Sequence, residues 1–269
     1  MEIFEHAFMR RAFVVGIIIA LIIPCIGIIA VFRRTSMIGD ALSHVSLAGV
    51  AAGLVMGINP VVGALLASIC ASLSIEFIRK RMPHFSDISV AVTLSFGVGV
   101  AGVLSGFVSS VQNFNSFLFG SIVAITRFEV VLVCALGLAI LICFFILRQE
   151  IFLISIDERS ARMAGVSVGA VSFICTILTA VAVSIAARAV GALIVSSIMV
   201  VPVACAIQVA KSYRQTVGYS MGFAVCFMVA GLFLSYYIGL RPGGAVALIG
   251  VLCLVAIMII RGGLMKGFG

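Results

Sequence analysis

Apolar runs of about twenty residues recur along the whole chain and are separated only by short polar breaks. An α-helix needs roughly 20 apolar residues to cross the hydrocarbon core of a bilayer, so each run is long enough to span it. Hydrophobic residues make up 64% of the chain and charged residues only 10%, and a water-soluble fold could not bury that much apolar surface. The sequence therefore predicts an all-α, polytopic transmembrane helical bundle that forms one domain over residues 1–269.

The polar breaks divide the chain into eight to nine predicted spans. Their approximate bounds are 12–32, 37–57, 61–78, 88–108, 128–147, 168–187, 189–210, 217–237 and 244–260. Alternation of nine crossings places the five most basic breaks on one face, which the positive-inside rule makes cytoplasmic: 33–34, 79–81, 148–162, 211–214 and 261–266. The net charge of +8 thus serves as a topology signal, and we expect no nucleic-acid partner.

Two segments fit this pattern less well. Arg10 and Arg11 fall on the opposite face, so residues 1–11 could instead form an interfacial amphipathic helix. The stretch 109–127 is more polar than the spans and is expected as a surface or re-entrant segment. Numerous glycines within the spans predict close approach of helices. In lipid the hydrophobic effect does not drive helices together, so their association depends on the close packing that small residues allow.

A carboxylate and an imidazole lie one helical turn apart within the second predicted span. Asp40 and His44 have the i,i+4 spacing that puts both side chains on one face of a helix. A charged group inside a span is costly unless it is paired or hydrated, so such residues mark ion paths, and a nitrogen plus an oxygen ligand suits Zn²⁺, Mn²⁺ or Fe²⁺. In the alternative interpretation Asp40 caps the helix and pairs with Arg34, while His44 forms a hydrogen bond with a carbonyl.

Three further features carry less specific signals. The charged segment 154–166 ends in a glycine, Gly165, and is either a docking element for a cytosolic partner or a solvated connecting helix. Pro202 interrupts an apolar run and frees a carbonyl, as in helices that line transport paths, although proline is also generally common in membrane helices. Glu76 is expected to pair with Arg79, and the eight cysteines are expected to be packing residues.

At these motifs the sequence resembles the permease family of bacterial ABC importers for zinc, manganese and iron(II). Residues 33–49 are similar to the family's R-R-x-S-L-M-G-D-A-L-A-H-x-x-L-x-G segment almost position by position. Three more segments resemble family elements: 117–122 its L-F-G-S-I element, 157–165 its D-x-x-x-A-x-x-x-G coupling segment, and 191–206 its G-x-L-L-V-x-A-L-L-x-x-P-A-A-x-A motif. The resemblance extends over nearly the whole chain.

The resemblance implies a role for each of these positions. Asp40 and His44 would contact the transported divalent metal, with zinc favoured over manganese or iron(II) and no permanently bound cofactor. A cytoplasmic ATPase subunit would receive the coupling segment. Path-lining or gating roles are also expected in the interrupted run around Pro202 and in the outer loop at 239–244. The coupling residues are Asp157, Glu158, Ala161 and Gly165, and the path-lining or gating residues are Ser197, Pro202 and Arg241.

The family further implies a homodimer in the bacterial inner membrane, supplied by an extracytoplasmic metal-binding protein. The chain has no Walker A motif, so ATP hydrolysis is expected on the separate subunit and not on this chain. One departure from the family pattern is Arg241, which stands near the position of an expected acidic residue in an outer loop. Arg241 or Arg188 could therefore pair with an acid on the binding protein.

Two other function classes compete with the importer. A proton-coupled secondary transporter could use Asp40 and His44 as a titrating relay and would need no ATPase. An intramembrane protease is disfavoured, because the sequence has neither H-E-x-x-H nor G-x-S-x-G.

Overall fold

The chain is all-helical in a computed structural model that describes residues 7–33, 35–82, 86–108, 117–118, 120, 126–192 and 194–266. These ranges contain eleven α-helices: α1 (Ala7–Phe32), α2 (Ile38–Met56), α3 (Pro60–Arg81), α4 (Ser86–Ser105), α5 (Arg127–Ile146), α6 (Arg148–Ile156), α7 (Glu158–Met163), α8 (Val168–Val190), α9 (Val195–Val209), α10 (Tyr213–Ile238) and α11 (Pro242–Lys266).

Eight of these helices are long and apolar enough to cross a membrane, namely α1 to α5, α8, α10 and α11. This confirms the predicted polytopic bundle. The predicted span 189–210 was wrong as a single helix, because α8 continues to Val190 and the chain turns at Gly191, whose φ is 104°. The helix that follows, α9, has only 15 residues, fewer than the roughly 20 that a bilayer requires.

Aromatic contacts fix the relative direction of the first and tenth helices. Phe13 and Phe233 have ring centroids 5.5 Å apart, and Phe32 and Tyr213 have centroids 6.0 Å apart, so α1 and α10 run antiparallel along their whole length. The end of α1 therefore lies beside the start of α10. The short helix α9 runs beside α11 in the same direction, since Ile194 packs near Gly243 and the carbonyl of Gln208 accepts a hydrogen bond from Arg261.

The basic breaks of the sequence come together at one end of the bundle, called here the basic end. Arg33, Arg79, Lys80 and Arg162 line one cavity there, and the helix start at Tyr213 lies beside the end of α1. By the positive-inside rule this end faces the cytoplasm.

The N-terminal alternative is wrong where the structure describes it. Residues 7–11 belong to α1, which continues without interruption to Phe32, so Arg10 and Arg11 lie in a spanning helix and not in a separate interfacial one. Residues 1–6, Arg34 and most of 109–127 fall outside the described residues.

Glycines allow α2 to pack closely against α3 and α4. A Cβ atom at Gly49 would overlap the Gly63 carbonyl oxygen and lie 2.6 Å from the Ala67 Cβ, and a Cβ at Gly97 would lie 2.9 Å from the Val45 backbone nitrogen. The predicted role is therefore confirmed at these positions. It was wrong for Gly57, Gly99 and Gly102, which have no described neighbour within 4 Å.

Replacing Gly49 by Ala is expected to lower the thermal unfolding midpoint of the purified protein, because the added methyl group forces α2 and α3 apart at a cost of about 1–3 kcal/mol. Gly102→Ala is the matched control, since alanine favours a helix by about 1 kcal/mol over glycine and has free space there. Equal midpoints for the two variants would show that the α2–α3 contact does not depend on Gly49.

Candidate metal path and coupling segment

The Asp40–His44 pair lies on α2, in a continuous helix that begins at Ile38. Asp40 is in the first turn, and both side chains are half-buried. Among the described residues neither side chain has a hydrogen-bond or ion-pair partner. No side chain accepts a capping hydrogen bond from the backbone at the start of α2, where Met37 is the N-cap residue. Asp40 therefore does not cap α2 as the alternative interpretation required. The other half of that alternative involves Arg34, which is outside the described residues.

Two contacts place the pair well inside the bundle. Gly27 of α1 packs on the Met199 carbonyl and Gly39 of α2 on the Met199 side chain, so the start of α2 lies level with Gly27. Gly27 precedes Arg33 by six residues, or about 9 Å of helix. A turn later, the backbone of His44 would lie 3.2 Å from a Cβ at Gly97, which is near the middle of α4. The pair therefore sits at membrane depth.

The described part of this single chain supplies too few ligands to enclose an ion. No group of three or more His, Cys, Asp or Glu side chains in it could hold a metal, and all eight cysteines are free. Two half-buried ligands leave most of a coordination shell to water or to a second chain. An incomplete shell suits transient passage of an ion better than permanent binding.

The coupling segment forms α7, a helix of six residues that is fixed at both ends. Asp157 caps its start by accepting hydrogen bonds from the backbone N–H groups of Arg159 and Ser160, and the Ser160 hydroxyl donates a third at 2.6 Å. The Ser160 and Arg159 hydrogen bonds lower the pKa of Asp157. Ala161 is fully buried, and Gly165 ends the segment with a φ of 84°.

The outward side of α7 is exposed to solvent. Met163 is 83% exposed and follows the charged residue Arg162. Asp157, Ala161 and Gly165 therefore define the shape of the segment, while Glu158 and the exposed side chains can contact a partner.

Arg33 connects α7 to the transmembrane helices, a link that sequence reasoning did not predict. Its Nη2 donates to Glu158 Oε1 at 3.2 Å and to Ser172 Oγ at 2.8 Å. The Arg33 side chain is only 11% exposed, and burial, together with the nearby Arg79 charge, lowers its pKa. Because Arg33 directly follows α1, this ion pair joins the coupling segment to the end of α1, five residues before α2 begins.

A cavity of about 500 Å³ surrounds this ion pair at the basic end. Glu76 lines the cavity and bonds Arg79 at 2.7 Å, which confirms the predicted pairing. Arg33, Arg79, Lys80 and Arg162 outnumber the two carboxylates, so the cavity carries net positive charge.

At the opposite end an internal ion pair corrects the expectation for Arg188. Its Nε donates to Glu129 Oε1 at 2.7 Å, and its guanidinium lies 4.4 Å from the centre of the Phe117 ring. Glu129 also forms a capping box with Thr126 at the start of α5. Arg188 therefore holds three segments of this chain together and is not reserved for an acid on a binding protein. An acidic residue in the first turn of a spanning helix was the only sequence signal for Glu129.

Of the three path-lining candidates, Ser197 lies beside the contact between α9 and the first turn of α2, whereas Arg241 lies at the opposite end of the bundle. Ser197 is half-buried in the first turn of α9, next to Ser196, whose Cα would lie 3.5 Å from a Cβ at Gly39. Pro202 is buried inside α9, which runs through it, so the break occurs at Gly191 and not at the proline. Arg241 precedes α11 at the end opposite to Arg33, exposed to solvent.

A bundle of long apolar helices, with an ionisable pair at membrane depth and a short capped helix at the cytoplasmic end, defines a polytopic membrane transport protein. Residues 5–261 match the ABC 3 transport family, and the chain belongs to that family. It is a multi-pass protein of the bacterial plasma membrane.

Similar proteins include transport components for different metals. A probable metal transport system membrane protein of Treponema pallidum is 32% identical, with 94% of this chain and 96% of that protein covered. The manganese import system permease protein ScaB of Streptococcus gordonii is 26% identical, with 91% and 88% covered, and the high-affinity zinc uptake system membrane protein ZnuB of Haemophilus influenzae is 25% identical, with 88% and 91% covered.

A solved structure shares the fold. The chain superposes on a chain of PsaBC from Streptococcus pneumoniae in complex with Fab, with a TM-score of 0.85 at 24% identity, and the match covers 95% of this chain and 92% of that one.

Proposed function

We propose that this chain is the permease subunit of an ATP-driven importer of divalent metal cations, with one permease domain over residues 1–269. The observation that carries the proposal is the Asp40–His44 pair at membrane depth, which has no hydrogen-bond or ion-pair partner among the described residues. A carboxylate there costs about 3 kcal/mol unless something compensates for its charge, and a passing cation does so. Relatives named for metal, manganese and zinc transport support the same cargo class.

The half-buried pair also supports a homodimer. In one chain the two side chains are only partly covered, so lipid would meet a carboxylate unless a second copy or a water-filled path lay beside it. A path between two copies would supply a second carboxylate and imidazole and so enlarge the coordination shell. Ser196 and Ser197, next to the first turn of α2, would add hydroxyl groups to its wall.

Energy would come from a cytoplasmic ATPase subunit that seats on α7, and an extracytoplasmic metal-binding protein would deliver the ion. The exposed face of α7 around Glu158 and Met163 supports this docking, while Asp157, Ala161 and Gly165 maintain its shape. Family membership gives no support to the proton-coupled alternative.

Zinc is proposed ahead of manganese or iron(II) as the cargo, because neutral imidazole is a favoured zinc ligand, whereas manganese prefers oxygen ligands. Similar proteins are named for both manganese and zinc, so direct competition is needed to choose. An excess of unlabelled Mn²⁺ is expected to leave most Zn²⁺ uptake intact, and strong inhibition would reverse the order of preference.

Uptake of Zn²⁺ into proteoliposomes that contain the chain and its ATPase subunit is expected to require ATP and the binding protein. It should persist when a proton uncoupler is added, because ATP hydrolysis and not a proton gradient supplies the energy. The measurement is radiolabelled zinc retained per liposome. Uptake that collapses with the uncoupler and continues without ATP would contradict the importer and favour the secondary transporter.

A further inference from the structure

A second groove at the basic end takes no part in the proposed metal path. It lies between the end of α5, the start of α6 and the start of α10, and its volume is about 510 Å³. Arg148, Arg214 and aromatic side chains line it. The cavity around Arg33 has a separate lining, so the two features are distinct.

One wall of the groove is aromatic. The rings of Phe152 and Tyr213 are in tilted contact, with centroids 4.7 Å apart and an angle of 45° between their planes, and Phe145 adds a side chain that is 47% exposed. Such a surface offers apolar contact to a hydrocarbon chain.

Two arginines line the same groove next to the ends of two spanning helices. Arg148 follows the end of the span at Ile146, and Arg214 is the second residue of the span that begins at Tyr213. Both are exposed, and neither has a hydrogen-bond or ion-pair partner among the described residues. The lining of the groove includes no carboxylate, so nothing in it neutralises the two guanidinium groups.

We propose that this groove binds an anionic glycerophospholipid of the cytoplasmic leaflet. The phosphate would lie between Arg148 and Arg214, whose planar guanidinium groups suit bidentate contact with phosphate oxygens. An acyl chain would lie along Phe145 and the Phe152–Tyr213 pair. Basic pockets between helices on the cytoplasmic side are suited to lipid head groups, and each arginine near the surface contributes about 1 kcal/mol of attraction.

The test is a titration of the purified full-length chain with phosphatidylglycerol or phosphatidylcholine, followed by native mass spectrometry. The wild-type chain is expected to retain phosphatidylglycerol at least about thirtyfold more tightly than the double variant Arg148→Gln, Arg214→Gln. Lys211→Gln is the matched control, because Lys211 is exposed at the same connection but does not line the groove. It is expected to bind phosphatidylglycerol as the wild type does.

Each other outcome overturns the proposal. An equal loss of phosphatidylglycerol affinity in the Lys211 variant would show that the lipid is attracted by surface charge in general. Equal affinity for phosphatidylcholine would show that binding does not depend on the charge of the head group. Displacement by millimolar inorganic phosphate would identify a free-phosphate site instead of a lipid site. Unfolding midpoints of all variants, measured in parallel, separate loss of binding from loss of fold. The double variant Arg148→Lys, Arg214→Lys should bind more tightly than the glutamine variant and less tightly than the wild type, because the charges remain but the bidentate contact is lost.

Discussion

Replacing Asp40 by Asn is expected to lower metal uptake about a hundredfold while leaving the protein inserted and folded. Asn keeps the size of the side chain but removes the negative charge that compensates for a divalent cation at membrane depth. An uncompensated charge at membrane depth costs about 3 kcal/mol, and each 1.4 kcal/mol is tenfold in an equilibrium constant. His44→Ala should have a similar effect, because it removes the nitrogen ligand one turn further along the same face. The measurement is ATP-dependent uptake in proteoliposomes at equal protein content.

Asp87→Asn is the matched control for this pair. Asp87 is a carboxylate in the first turn of α4, as Asp40 is in the first turn of α2, but it is exposed at the basic end. Its replacement is expected to leave uptake within about twofold of the wild type, as most surface changes have small effects. Normal uptake by the Asp40 or His44 variant would remove that residue from the transport path.

Replacing Arg33 by Gln is expected to separate ATP hydrolysis from transport. The variant loses a charge-assisted hydrogen bond to Glu158 and weakens another to Ser172, so a movement of α7 would no longer be transmitted through this contact to the end of α1. Hydrogen bonds to charged groups are worth about 1.5–3 kcal/mol, which predicts at least a tenfold fall in metal transported per ATP hydrolysed. The hydrolysis rate itself should fall much less.

Two further variants make this result specific. Lys80→Gln removes a basic side chain from the same cavity, but Lys80 is 62% exposed and lies 3.8 Å from its acid, so little change is expected. The charge exchange Arg33→Glu with Glu158→Arg should recover part of the coupling that Glu158→Arg alone loses. An unchanged transport-to-hydrolysis ratio in Arg33→Gln would show that the ion pair is only structural.

The predicted bounds of the helices agree closely with the structure wherever one apolar run forms one spanning helix. The predicted span 128–147 corresponds to Arg127–Ile146, and 37–57 corresponds to Ile38–Met56. The prediction failed at 189–210, because an apolar run does not reveal a turn made by a glycine within it. The positive φ at Gly191 and the close approach of Gly243 to Val190 are features of the packed bundle.

The candidate site was predicted only in part. The i,i+4 spacing of Asp40 and His44 was visible in the sequence, and so was the glycine that ends the coupling segment. The partners of Arg33 and Arg188 were not, because they lie 125 and 59 residues away. Consequently Arg188 was expected to be available to a binding protein, whereas it bonds Glu129 within this chain.

By itself the sequence determined that this chain is a bundle of membrane helices with a basic cytoplasmic end, and it placed an acid and an imidazole on one helix face. These properties are local, since a bilayer selects each apolar run by its own length and each basic break by its own charge. Only the tertiary structure decided how deep the pair lies, that it is unpaired among the described residues, and that Arg33 joins α7 to the end of α1. Those depend on which helices pack together, because contact distances between remote segments are set by the whole bundle.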